Sequence, residues 1–474
     1  MPAFPFVGAS YTARSKTFDS QRCINLYPEM SGSGSSKSVA ALIGTPGLAL
    51  WATLTGGGIR GLLAFNASTA IVVAGASVYS VTSSGVATLI GTVDGAGPVS
   101  MASNGIVVML VTGPSGYVVT PGATGSVVKI ANSNFYGADR VDFLDGYFIF
   151  NKPGTGQFQI TGLYDTTIGG LDFATAEGAP DNLVSLIVDH RELWLLGERT
   201  TEVWFNSGDV NFPMSRIQGA FIEHGCAATH SVCKLDNSVF WMGADDKGRG
   251  MVFRAAGYVP QRISTHALEY AIGQYARVDD AIGWTYQQEG HAFYVLTFPT
   301  ANATWCFDAS TGLWHERAYR DASNALGRHR GNCHMVFAGK NIVGDWESGK
   351  LYALDLDTYT DNGDAIPRIR SCPHIANDLK RVFYAALQID METGVGLTDG
   401  QGSDPQAMLQ WSDDGGFTWS NELWASIGKL GERKTRVRWR RLGKARDRVF
   451  QVTITDPVKV EIVGASLEMG AGGS

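Results

Sequence analysis

A tight turn followed by an apolar strand recurs along this chain, and that recurrence limits the folds open to it more than any other feature. The clearest unit is residues 231–263, SVCKLDNSVFWMGADDKGRGMVFRAAGYVPQRI. It reads as four short strands: a half-buried run ending at Asp236-Asn237, an apolar strand over 238–242, and, after the polar turn 245–250, strands over 251–255 and 259–263. Asn and Gly adopt positive φ at little cost, so such dipeptides between apolar runs mark two-residue hairpins.

The same turn precedes the second strand of other units, at Asn104-Gly105, Asp145-Gly146, Glu289-Gly290 and Gly339-Lys340, with looser versions at 66–69 and at His190-Arg191. Gly105, Gly146, Asn237, Gly290 and Gly339 follow one another at steps of 41, 91, 53 and 49 residues. The step of 91 is two units divided at Arg191. A period of about 40 to 50 residues carrying four strands is the signature of a β-propeller blade. The expected fold is therefore all-β, with about seven blades (six is the alternative). Third strands (SVYSV, YVVT, QFQITG, TEVWFNS, MVFRA, ATWCFDAS, KLYALDL) and fourth strands (ATLIG, SVVKI, LDFATA, MSRIQG, VPQRIS, LWHERAY) continue the series. The last unit lacks a fourth strand, and GLALWATL at 47–54 is the segment expected to supply it and close the ring, leaving no long free edge.

The remaining segments suggest three parts: an N-terminal arm with the ring-closing strand (1–56), the propeller (57–362) and a C-terminal β-sandwich-like domain (363–474). In the arm, 31–38 (SGSGSSKS) reads as a mobile loop, and 19–29 as an extended segment lying along the propeller or reaching a neighbour. Within the propeller, 264–277 predicts a short helix, with Ser264 or Thr265 as N-cap and Leu268, Ile272 and Tyr275 on one face. After residue 366 the blade period disappears. Six strands, over 368–374, 382–390, 407–411, 435–442, 449–455 and 458–469, suggest a small sandwich.

Charged residues make up only 18%, and a net charge of −7 argues against a generic nucleic-acid binder, which needs a concentrated basic surface. There is no apolar run long enough to span a bilayer, nor a basic-then-apolar leader of the secretory type; host cytoplasmic synthesis is the expectation. The six scattered cysteines read as buried, reduced thiols.

Several constellations bear on chemistry. Ser412, Asp414, Gly416, Thr418 and Trp419 match the S-x-D-x-G-x-T-W pattern of the Asp-box of sialidases. There the Asp caps backbone amides of a hairpin, which is a structural role. His224, Cys226, His230 and Cys233 lie within ten residues, but a loop entering a strand would splay them, so no metal is expected. Asp189-His190 lacks a nucleophile elbow, and the pairs Asp245-Asp246 and Asp413-Asp414 sit on turns. No cofactor motif and no catalytic set emerges. Arg436, Arg438 and Arg440 alternate along one strand and so share a face. They form either a solvated surface or a contact to phosphates or an acidic partner.

Longer stretches carry a family likeness. DSQRCINLYPE followed by TPGL, ELWLLGERTTEVWFNSGD, GCAATHSVCKLDNSVFWMG, GHAFYVLTFPTANATWCFDASTGLWHER and the ending RVRWRRLGKARDRVFQVTITDPVKVEIVGASLEM resemble the packaged-DNA stabilisation proteins of short-tailed bacteriophages, also called tail accessory, hub or nozzle proteins. The resemblance implies a non-enzymatic virion component of the tail, forming a ring of six copies below the portal and adaptor. It would extend the DNA channel without binding DNA specifically, retain the genome, and carry a needle, plug or fibre, with no membrane insertion. Against it stand a glycan-binding or sialidase-like propeller, suggested by the Asp-box, and a host-cell interaction scaffold.

Overall fold

The structure is a computed structural model that describes residues 2–32, 37–245, 248–378 and 380–472. The centre of the serine-glycine tract (33–36) and Asp246 lie outside the described residues.

Most of the repeated turns have the backbone that the sequence requires of them; at Asn104-Gly105 only Gly105 has positive φ (84°), and none of residues 66–69 does. Asp145 and Gly146 (φ 47° and 98°), His190 and Arg191 (49° and 62°), Asp236 and Asn237 (48° and 57°), and Glu289 and Gly290 (49° and 85°) each place two successive residues at positive φ. This is the turn whose twist matches the flanking strands. In the last repeat the turn falls one residue earlier than expected, on Ala338 and Gly339 (51° and 72°). Lys340 is already paired with Phe337 in the ladder.

These hairpins build seven blades, over residues 59–92, 100–129, 141–175, 183–222, 225–262, 282–320 and 331–355. Each is antiparallel, and the first strand of each lies innermost. The seventh contributes only three strands of its own, and Gly47–Thr53 completes it by pairing antiparallel with Lys350–Asp355. Across the seam, the Asn332 amide of blade 7 donates to the Ile59 carbonyl of blade 1 (3.1 Å), and residues of both blades share one apolar cluster. The wheel is closed.

Between blades 5 and 6 the expected helix spans His266–Gly273, with the Thr265 hydroxyl accepting from Leu268 N. Leu268 and Ile272 are buried beneath it. Tyr275 lies beyond the helix end, yet its ring packs on Phe298 at 5.0 Å.

Two sheets form the C-terminal layers. One runs Leu26–Met30, Ala40–Gly44, Glu461–Ala471, Val382–Met391, Val437–Arg440. The other contains Arg368–Ser371, Asp447–Ile454, Gln406–Ser412 and Leu423–Ser426. The last of these was not anticipated; its exposed Leu423 and Trp424 break the alternation that reveals a half-buried strand. Leu42, Tyr384, Leu387, Leu409, Trp439, Phe450 and Leu467 fill the space between the sheets.

The N-terminal segment, expected to lie along the propeller or reach a neighbour, pairs within its own chain. Leu26–Met30 and Ala40–Gly44 are strands of the first sandwich sheet. Ser20–Ile24 pairs antiparallel with Arg368–Ser371 and, through Ile24, parallel with Glu316 on the outer strand of blade 6. One hydrogen-bonded sheet therefore continues from the propeller into the sandwich.

Polar groups lock this junction. Asn25, buried and at φ 53°, donates to the carbonyls of Ala318 (2.8 Å) and Pro367 (2.9 Å) and accepts from Ala318 N (3.0 Å). Arg22 makes a two-point pair with Glu316. Arg370 is fully buried and donates to the carbonyls of Phe6, Ala9 and Arg22 and to the Gln21 side chain. His291 of blade 6 lies between the buried Asp308 (2.7 Å) and Glu29 of the N-terminal strand.

Two predictions follow from the junction. Asn25→Ala leaves buried partners on both sides unsatisfied, and should cost about 2–4 kcal/mol, seen as a lower denaturation midpoint and faster proteolysis near residue 25. His291, held by Asp308 against the cost of burial and helped by Glu29, has its pKa raised to about 9. Its contribution is thus complete below its ordinary value near 6.5 and disappears as pH rises through about 9. Wild-type stability should fall over that interval, whereas His291→Gln should show a flatter profile by pH-dependent thermal denaturation.

Candidate interaction surfaces

The middle of a propeller is where this fold most often places a ligand, so the axis comes first. Innermost strands bring Arg60, Met101, Arg140, Val232, Trp284 and Asn332 around a cavity of about 330 Å³. A wider vestibule of about 780 Å³ opens beside it, lined among others by Asp139, Arg277, Asp279, Asp280 and Arg328. Arg140 of blade 3 reaches past blade 4 to donate to the Val232 carbonyl of blade 5 (3.4 Å). The Arg140 side chain thus crosses the axis.

The described candidate catalytic and metal-ligating residues of the sequence do not converge. Asp189 and His190 meet at 2.7 Å, but the other ring nitrogen faces Asn237 Oδ1 of the next blade at 2.5 Å. The pair ties hairpin tips of blades 4 and 5, as Arg191 and Asp145 tie blades 3 and 4 at 2.9 Å. The His/Cys stretch is splayed: His224 packs edge-on against Phe253, and the buried Cys226 Sγ faces the Ala228 carbonyl. Among the described residues no three His, Cys, Asp or Glu side chains converge as metal ligands would. All six cysteines are free. Burial pushes the Cys226 thiol up to about 11 and those of Cys23, Cys233, Cys306, Cys333 and Cys372 to about 12, which makes them poor nucleophiles.

The Asp-box forms a self-contained turn in the sandwich. Asp414 accepts from Ser412 Oγ (2.7 Å), Phe417 N (3.0 Å), Thr418 N (2.9 Å) and Thr418 Oγ1 (2.6 Å), while Gly416 N donates to Ser412 Oγ (2.7 Å). These donors, led by Ser412 and Thr418, hold the carboxyl of Asp414 well below the usual carboxylate range. Trp419 is half-buried beside Gly416. Next to it Asp413 takes a different task, pairing with the buried Arg448 at 2.6 and 2.7 Å. The loop abuts the N-terminal segment, where Lys16 sits over the Phe417 ring at 4.8 Å.

Arg436, Arg438 and Arg440 share the outer face of the sheet, with Val437 and Trp439 buried between them. Arg438 pairs with Glu468 at 2.9 Å, while Arg436 and Arg440 are exposed on and beside the edge strand Val437–Arg440. Arg433, Lys434, Arg441, Lys444 and Arg446 are exposed nearby. Residues 433–446 carry eight cations and no carboxylate.

Two family models cover almost the whole chain. Residues 3–359 match the one described as Bacteriophage P22 Gp10, beta-propeller, and residues 367–470 match its companion, Bacteriophage P22 Gp10, beta-sandwich. The chain belongs to the bacteriophage P22 Gp10 family. Members are structural phage proteins that stabilise packaged DNA, and no helix among the described residues is long and apolar enough to cross a membrane. No curated protein matches. Solved structures similar to this Gp10-family chain include the N-terminal domain of Nup159 (9% identity, TM-score 0.40, covering 70% of this chain and 98% of that one) and the β-propeller domain of Myceliophteria thermophila Cps50 (7%, 0.41, 65% and 98%). PorZ of Porphyromonas gingivalis is another, at 11% identity and TM-score 0.38, covering 79% of this chain and 46% of that one. At such scores these likenesses carry no argument about function.

Sequence reasoning missed the axial arginines. Arg60 is a single cation in a neutral stretch and Arg140 lies between Asp139 and Asp142; neither forms a motif, and only ring closure brings them together. For the Asp-box, Asp414→Ala should lower the thermal midpoint at neutral pH. Because that carboxyl is depressed in the folded state, its contribution is present above the ordinary carboxylate pKa and lost as pH falls. The difference between variant and wild type should therefore shrink below about pH 4.

Proposed function

We propose that this Gp10-family chain is the hub, or nozzle, subunit of a short phage tail. Copies form a ring, six in number, below the portal and adaptor. The ring extends the DNA channel, retains the packaged genome and carries the distal plug or fibre. The blocked propeller axis carries this reading: a closed wheel bridged by Arg140 serves as a wall, and the DNA path runs between subunits. A continuous sheet from propeller to sandwich supports it, because a load-bearing wall gains from a junction that cannot hinge. We divide the chain into a propeller over 57–362 and a sandwich over 363–474, joined by the N-terminal strands and the ring-closing strand within 1–56.

The basic edge is the contact we assign to an acidic partner surface, with Arg436, Arg438 and Arg440 at its centre. Outside 433–446, the chain carries 30 cations against 45 carboxylates, so a neighbouring copy offers the complementary charge. Such contacts steer assembly and weaken with salt.

Two measurements test the reading. In sedimentation, the purified chain should be a monomer or weak oligomer that forms a ring only on particles bearing portal and adaptor. Arg436→Glu with Arg440→Glu should slow that assembly at least ten-fold at low salt. Particles lacking the protein should lose their DNA to added nuclease. Nuclease-resistant particles without this subunit would refute the retention role.

A further inference from the structure

The axial cavity has an unbalanced charge. Arg60, Arg140 and Lys234, from blades 1, 3 and 5, all line it, and its walls include no Asp or Glu. Each cation is held by neutral carbonyls instead. Arg60, 6% exposed, donates to the carbonyls of Gly97 (2.6 Å), Gly75 (2.9 Å) and Asp94 (3.2 Å). Lys234 donates to the Val188 carbonyl (2.8 Å), and Arg140 to that of Val232. None of the three has an ion-pair partner among the described residues.

Of the three, Arg60 is buried, Arg140 half-buried and Lys234 exposed; a buried cation such as Arg60 normally has an anionic partner, because the charge is costly to remove from water. The vestibule, unlike the cavity, does hold carboxylates, and some of these are engaged elsewhere, although the buried Oδ1 of Asp280 has no hydrogen-bond partner. Asp279 pairs with Arg277 at 2.7 Å, Asp280 accepts from Thr300 N, and the Asp94 side chain takes Lys129 and Ser115. Asp139 also faces the vestibule, where burial raises its carboxyl above the ordinary value. The two histidines of the cavity add no charge at neutral pH, since burial lowers His230 to about 3 and His334 to about 4.

Donors are in surplus as well. Arg140 Nε and Trp284 Nε1 have no hydrogen-bond partner, and Trp284 is 4% exposed. A volume of about 330 Å³ admits a small ion with several waters, each of which occupies about 30 Å³ in the liquid.

We propose that the propeller axis binds a small oxyanion of the phosphate class, which supplies the charge that Arg60, Arg140 and Lys234 lack and ties blades 1, 3 and 5 together. The site is independent of the hub reading, since it depends only on the wheel. Occupancy stabilises the folded chain by mass action: the anion links three blades whose carbonyls alone cannot neutralise the cations.

The test uses the full chain and inorganic phosphate. Calorimetry should show saturable binding, and the thermal midpoint should rise by about 2 °C or more near saturation, relative to sodium chloride at equal ionic strength. Phosphate should also change Trp fluorescence, and Trp284→Phe should abolish much of that change. Arg140→Gln should weaken binding at least ten-fold. Lys234→Gln, at an exposed position that folding tolerates, should weaken it about three-fold, while Arg440→Gln on the sandwich should leave it unchanged. Competition by a 5′-phosphorylated oligonucleotide, but not by its dephosphorylated twin, would show that the same site also accepts a nucleic-acid end. No saturable heat, a midpoint rise equal to that in chloride, or unaltered binding in both Arg140→Gln and Lys234→Gln would overturn the proposal.

Discussion

Strand Ser20–Ile24 is the interaction on which the rest of the architecture depends. On one side it meets the outer strand of blade 6 and on the other Arg368–Ser371 of the sandwich. A strand in this position satisfies backbone groups that would otherwise remain as two open edges, a hazard for any sheet protein. The same N-terminal stretch then adds a hairpin to the sandwich and finally Gly47–Thr53 to blade 7. About fifty residues thus close the wheel and fix it to its neighbour. Contacts of such long sequence separation are slow to form, so closure and docking are expected to come late in folding.

Charge is distributed to serve the same end. Arg317, Arg368 and Arg370 are all buried near the junction, where hydrophobic residues of equal volume would often be at least as stabilising. Arg370 is anchored on four N-terminal groups. Arg317 lies over the rings of Tyr286 and Phe293 at 5.2 and 5.6 Å. Burial raises the carboxyl of Asp361, 3% exposed, to about 7 even with Arg368 nearby. Such groups tolerate few alternative arrangements, and this suits a junction that must hold one register. At the axis, cations are likewise set by backbone carbonyls, but there the opposite charge is missing.

The two surfaces differ in kind. The basic edge of the sandwich is exposed and lies on one strand and the loop after it, so any contact it makes is screened by salt. Axial cations come from three separate blades and line one cavity, with Arg60 buried, Arg140 half-buried and Lys234 exposed. The Asp-box belongs to neither surface, its carboxylate being held within its own turn.

Local chemistry made much of this protein legible from its sequence. Paired positive-φ residues before apolar strands marked five of the blades, because a two-residue hairpin turn tolerates few side chains, and their spacing placed the total at about seven. The missing fourth strand after Lys350–Asp355 pointed to Gly47–Thr53, since a wheel cannot leave an edge open. Alternation placed Arg436, Arg438 and Arg440 on one face, and S-x-D-x-G-x-T-W specified the cap around Asp414. Position in space was decided only by the tertiary structure. Residues 19–29 read as an arm because strand pairing carries no local record of its partner, and Leu423–Ser426 was hidden by its exposed apolar residues. Arg60, Arg140 and Lys234 are far apart in the chain, and only closure of the wheel sets their charges around one cavity.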